Sequence, residues 1–265
     1  MDSDIMDRVT SADGTTIAFD RLGDGPPVIV VSGALCNRAV TRPLADNLAQ
    51  HYTVYNYDRR GRGDSGDIAP YAVEREIEDL AAILAAAGGS AAVYGHSSGA
   101  ALTLYAAARG LDFTKIVLHE PPFVTVDDAA QEGLTKQTDE ILDLLTQDRR
   151  REAVERFLVM TDTPAEYAVP MSQDPGIQSS ALTIRYDLEL VGEAARGGAT
   201  PTEQASKVTV PALVLAGGAS DEWMIDAGRR LAEAIQGARF GMVDGFAHVV
   251  PPAVLVPILA GFLNG

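Results

Sequence analysis

The run Val93-Tyr94-Gly95-His96-Ser97-Ser98-Gly99 constrains this chain more than any other stretch. Ala91 to Tyr94 is short and apolar and reads as a buried strand. Ala100 to Ala108, just beyond, reads as a buried helix. Between them lies G-x-S-x-G. A strand that turns at once into a helix holds the central residue in a strained conformation, and small residues on either side let the two elements pass closely. Ser97 is expected to project from this turn at the positive end of the helix. The N–H of Ser98 is expected to face the place where an anion forms.

Strands and helices alternate around this point. Met6 to Thr10 and Thr15 to Arg21 flank the turn Ala12-Asp13-Gly14 and read as an opening hairpin. Val28 to Val31 is β-branched and uninterrupted, as in a strand buried on both faces. A helix with Pro43 in its first turn follows, then a strand from Tyr52 to Tyr57. Val73, Ile77, Leu80 and Leu84 share one face of a helix that stops at Gly88-Gly89. Lys115 to His119 is a further strand, ended by Glu120-Pro121-Pro122. From Phe123 to Ser206 only helical periodicity is present, as in Leu134 to Leu145 and Arg150 to Val159, broken by Pro164, Pro170 and Pro175. Alternation resumes with a strand at Val210 to Ala216, a helix from Trp223 to Gln236, a strand at Arg239 to Val243 and a last helix. The pattern predicts an α/β fold: a doubly wound, mostly parallel sheet. The core comprises residues 1–122 and 207–265, and residues 123–206 form an inserted helical cap, too long for a plain connection.

Composition narrows the function. The net charge of −16 makes nucleic acid and anionic membrane poor partners, and leaves a small-molecule substrate. The start of the chain lacks the basic and apolar regions of a signal peptide, and no apolar run approaches the roughly 18 residues of a membrane span. The single cysteine, Cys36, has no partner for an internal disulfide, so a cytoplasmic setting is expected. Beside the serine loop it reads as pocket lining. Oligomeric state is not readable.

A serine hydroxyl needs a base. Of the four histidines, His51 precedes a strand and falls on the wrong edge of the sheet. His96 adjoins Ser97 and reads as shaping the turn, and His119 ends a strand. His248, in the loop Asp244-Gly245-Phe246-Ala247-His248 after the last strand, belongs at the edge where Ser97 opens. The loop Ser32-Gly33-Ala34-Leu35 reaches the same edge. The N–H of Ala34, or of its neighbour Leu35, is the second candidate donor to an oxyanion. No histidine or cysteine cluster has metal-ligand spacing, and Gly61-Arg62-Gly63 lacks the rest of a phosphate-binding fingerprint, so no metal and no cofactor is expected.

These features together resemble the α/β-hydrolase superfamily of serine esterases, lipases and related acyl hydrolases. The resemblance covers nearly the whole chain: Ser32-Gly33-Ala34, the segment Asp58 to Ser65, the Ser97 elbow, the insertion and Gly245-Phe246-Ala247-His248. It implies a triad of Ser97, His248 and an acid. The family's common acid position, counted along Gly217-Gly218-Ala219-Ser220-Asp221, falls on Ser220, with Asp221 one residue late. Some relatives carry the acid after the strand that follows the elbow helix, which here is Glu120. Glu120 is the expected acid and Asp221 the alternative. Asp58, Arg60, Arg62 and Asp64 are expected to form a buried ion network that pins the loop beside the site. The implied chemistry is acyl transfer from an ester or thioester of a small, mainly apolar substrate. The alternatives are a non-hydrolytic outcome on the same triad (perhydrolase, lyase or acyl cyclase) and a catalytically silent ligand-binding module.

Overall fold

The computed structural model describes residues 6–123, 128–192 and 200–265. An eight-stranded sheet runs through it in the order β1 (Met6–Thr10), β2 (Thr16–Leu22), β4 (Thr53–Tyr57), β3 (Pro27–Val31), β5 (Ala91–His96), β6 (Phe113–His119), β7 (Ala212–Gly217) and β8 (Arg239–Val243). β1 pairs antiparallel with β2, and β2 with β4. From β4 to β8 every pairing is parallel. The parallel strands all end at one edge, so the segments that leave β3, β5, β6, β7 and β8 meet there.

Two apolar layers sandwich the sheet. One face is covered by α1 (Arg38–Leu48) and α11 (Pro252–Leu263), through Leu44, Leu48, Leu255, Leu259 and Phe262. The other face meets α2 (Val73–Ala86), α3 (Ser98–Ala108) and α10 (Glu222–Ala234). Helix α3 lies between the sheet and its neighbours, and its residues from Ser98 to Ala107 are all buried. A helix enclosed on every side needs small apolar residues rather than a polar face, which explains its alanine content.

Between β6 and β7, the described residues form helices and no strand: α4 (Asp128–Thr146), α5 (Arg150–Met160), α6 (Ala165–Ser172), α7 (Pro175–Ser179), a 3₁₀ turn at Ala181–Thr183, α8 (Ile184–Val191) and α9 (Pro201–Ala205). A third apolar cluster joins this insertion to the loop after β3: Ile141, Leu145, Phe157, Leu158 and Ile184 pack with Leu35. Of the other apolar residues of the insertion, Tyr167 and Met171 lie on the surface. Phe123 instead packs against Tyr105 of α3.

Two sequence expectations are corrected. Pro43 lies in the middle of α1, not its first turn. Asn37 starts this helix upstream, because its side-chain oxygen accepts the N–H groups of Ala39 and Val40. Pro170 does not break the chain between helices but sits inside α6. No described helix is long and apolar enough to cross a membrane.

Candidate active site

Ser97 lies between β5 and α3 with φ 55° and ψ −126°, a backbone conformation that side-chain-bearing residues rarely adopt. The glycines beside it are required by contact. A Cβ on Gly95 would stand 2.5 Å from the Gly99 carbonyl oxygen, and one on Gly99 would stand 2.3 Å from that of Val31. The N–H of Ser97 donates to the His119 carbonyl at 2.9 Å and ties the turn to β6. The loop after β3 passes directly over the serine: a Cβ on Gly33 would lie 3.0 Å from Ser97 Cβ. Among the described residues, no acceptor engages the N–H of Ala34 or of Ser98. Leu35, the neighbouring candidate, is buried with φ 60°.

His248 stands at the same edge. Its ring lies tilted by 38° against that of His96, the residue before Ser97, with centroids 4.5 Å apart, and its carbonyl accepts from His96 Nε2 at 2.9 Å. That bond assigns the His96 proton to Nε2. Nδ1 of His248 lies 2.6 Å from Glu120 Oε2. A carboxylate only accepts, so Nδ1 is the donor, and in the neutral imidazole the lone pair is left on Nε2. The His248 side chain is 42% exposed while that of Glu120 is fully buried.

Glu120 is held as firmly as Ser97. It has φ 49°, and its N–H donates to Leu215 at 2.9 Å. Its Oε1 accepts from the Gly217 N–H at 2.6 Å and from Ser220 Oγ at 2.5 Å. Burial alone would raise the Glu120 carboxyl. The hydrogen bonds from His248, Ser220 and Gly217 outweigh it and hold the group below the ordinary glutamate range. Asp221, the alternative acid, is not brought to His248. β7 ends at Gly217, and by Asp221 the chain has turned outward to start α10. There Asp221 is exposed and its side chain meets that of Asp162.

The remaining candidates divide clearly. His51 is exposed at the opposite end of the strands. His119 is buried, with Nδ1 2.7 Å from Tyr94 Oη. Burial pushes the Cys36 thiol up, away from a reactive thiolate. Among the described residues, no group of three histidine, cysteine, aspartate or glutamate side chains is placed to hold a metal ion.

Asp58, Arg60, Arg62 and Asp64 do not pair with one another as expected but fall into separate ion groups. Asp58 and Asp64 both pair with Arg38, Arg60 with Asp79 and Asp13, and Arg62 with Asp187 of α8. Asp64 is half-exposed, so the network is not wholly buried. The group beside Ser98, which includes Arg62 and Asp187, is centred on Arg59, which the sequence reading passed over. Fully buried, Arg59 bonds both Glu76 oxygens at 2.7 Å, Asp187 Oδ1 at 2.9 Å, Ser98 Oγ at 3.0 Å and the Ser32 carbonyl at 3.3 Å. Burial opposes charge on Glu76 and Asp187, but the arginines beside them prevail and lower both carboxyls. One signal was available: three arginines within Arg59 to Arg62, directly after a buried strand of an acidic chain, must bring carboxylates in with them.

Comparison with known proteins agrees with this architecture. Residues 27–251 match the family described as Serine aminopeptidase, S33. The structure of an α/β hydrolase from Sphaerobacter thermophilus is 44% identical, with a TM-score of 0.87 over 97% of this chain and 100% of that one. The 3-oxoadipate enol-lactonase 1 of Acinetobacter baylyi is 24% identical over 97% of this chain and 96% of its own length. A thermophilic esterase from Thermogutta terrifontis shares the fold, with a TM-score of 0.71 at 20% identity over 98% of each chain. The chain belongs to the Serine aminopeptidase, S33 family of the α/β-hydrolase superfamily.

Proposed function

We propose that this protein hydrolyses a carboxylic ester of a small, mainly apolar substrate by acyl transfer through Ser97. The contact between Glu120 and His248, whose ring packs against His96 beside the Ser97 turn, carries the reading. In this mechanism His248 Nε2 takes the Ser97 proton as Oγ attacks the ester carbonyl. The two free N–H groups, of Ala34 and Ser98, receive the oxyanion. Glu120, ionised below the ordinary glutamate range, stabilises the imidazolium and fixes its ring. His248 then protonates the leaving alkoxide, and a water that it deprotonates releases the acid. Residues 123–206 act as a cap, with the apolar cluster around Leu35 turned to the acyl group. The relatives named enol-lactonase and esterase favour an ester over a peptide bond.

The test is turnover of p-nitrophenyl esters from acetate to octanoate beside an aminoacyl anilide, with wild type and Ser97→Ala, together with labelling by a fluorophosphonate. Ester cleavage and labelling, both lost in Ser97→Ala, are expected. A wild type that cleaves no ester and leaves Ser97 unlabelled sinks the proposal and favours the ligand-binding alternative. Turnover of the anilide alone would move the substrate to amides.

A further inference from the structure

We infer that Arg62 and Asp187 are positioning residues that set the oxyanion site from beneath, so that the seating of α8 determines whether the site is formed. The inference rests on the acyl-transfer reading above. In a trans peptide unit the carbonyl and the N–H point in opposite directions. The carbonyl of Gly33 accepts from Arg62 Nη1 at 2.6 Å inside the protein. The N–H of the same unit belongs to Ala34, and this bond turns it away from the buried guanidinium. Arg62 has no freedom to give, because its Nη2 is held by both oxygens of Asp187 at 2.8 Å.

The second donor is tied to the same carboxylate. Asp187 Oδ1 accepts from Ser98 Oγ at 2.7 Å, and Arg59 braces that hydroxyl and the Ser32 carbonyl together. One buried aspartate thus reaches both halves of the oxyanion site. It comes from α8, outside the core elements that carry the serine and the loop. α8 is seated by the stack of Tyr186 on Tyr71, with rings 3.9 Å apart, and by the bond from Tyr71 Oη to the Tyr186 carbonyl. Arg59 and Arg62 balance Glu76 and Asp187, so the cluster adds no net charge beneath the oxyanion. Its effect on catalysis is orientation. A lysine at position 62 would keep the charge but lose the fork that holds a carboxylate and a carbonyl at once.

The experiment compares Arg62→Lys, Asp187→Asn and Arg60→Lys with wild type, reading kcat, KM and affinity for a trifluoromethyl ketone analogue of the best ester. Arg60 is as buried as Arg62 but bonds Asp79, Asp13 and the Arg75 carbonyl, away from the serine loop. Arg62→Lys is expected to lose about 10²-fold in kcat, the effect of one misaligned donor, with KM within about threefold. Ketone affinity should fall with kcat/KM. Asp187→Asn should match it, and Arg60→Lys should keep kcat and ketone affinity whatever it loses in stability. If Asp187→Asn does not fold, Arg62→Lys decides alone. A kcat for Arg62→Lys within about threefold of wild type, an unchanged ketone affinity, or an equal loss in Arg60→Lys overturns the inference. A Ser97→Ala enzyme with full turnover would instead sink the acyl-transfer reading itself.

Discussion

Replacing Glu120 by glutamine tests the proposed mechanism at its most determinate point. The new amide has two ways to sit, and the structure chooses between them. Oε1 receives the Gly217 N–H, which can only donate, and the Ser220 hydroxyl. Turning the amide NH₂ toward Gly217 would set donor against donor at 2.6 Å in a buried site, so the amide oxygen stays there. The NH₂ must then face His248 Nδ1 in place of the oxygen now 2.6 Å away. His248 can accept that bond only by moving its proton to Nε2, the atom that must be free to take the Ser97 proton. The fold is kept and the tautomer is wrong. A loss of about 10⁴-fold in kcat is expected, with KM little changed. That is about 5 kcal/mol of transition-state stabilisation. The assay is p-nitrophenyl ester hydrolysis by Glu120→Gln and Asp221→Asn, each first checked for an unchanged melting temperature. Glu120→Gln with more than about a tenth of wild-type kcat, or a comparable collapse in Asp221→Asn, would refute the reasoning.

Other outcomes follow from named contacts. Gly33→Ala places a Cβ 3.0 Å from Ser97 Cβ and 3.2 Å from the His96 carbonyl oxygen, so the loop must shift, and kcat should fall at least about tenfold; steady-state kinetics with unchanged rates would show that the loop yields freely. Glu76→Gln leaves Arg59 and Arg62 with Asp187 as their one carboxylate, an uncompensated buried positive charge, and should destabilise the protein by about 3 kcal/mol in urea unfolding at neutral pH. A shift below about 1 kcal/mol would mean that the cluster redistributes. Burial, helped by His248 and opposed by the Glu120 carboxylate, pushes the His119 imidazole down to about 4, and burial and the adjacent histidines hold His96 well below its ordinary value. Unfolded histidines take up protons near pH 6.5 while these two do not, so stability should be full above about pH 6.5 and fall as the pH drops toward 4. Urea midpoints that stay level between pH 7.5 and pH 4.5 would contradict this.

The turn at Ser97 was legible because its causes are local. Gly95 and Gly99 answer to contacts made by the strand and helix on either side of them. The alternation of strands and helices around it was legible too, but the lateral order of the strands, with β4 outside β3, is set by tertiary pairing that alternation does not carry. The acid was less legible. Glu120 and Asp221 both stand near strand ends, and choosing between them needs the distance from each to the His248 loop, which the order of residues does not carry. The ion network was read only in outline for the same reason. Arg62 finds its carboxylate 125 residues away, and Arg59 finds one of its two 128 residues away. Pro43 misled because proline marks a first turn in most helices, and here the Asn37 cap set the start of the helix instead.

Ser220, three residues past the end of β7, donates its hydroxyl to Glu120 at the end of the neighbouring strand β6, so the proposed triad acid is braced from both strands. The two positions share one pocket. An aspartate at 220 beside Glu120 would put two carboxyls on a single proton, as close like charges require.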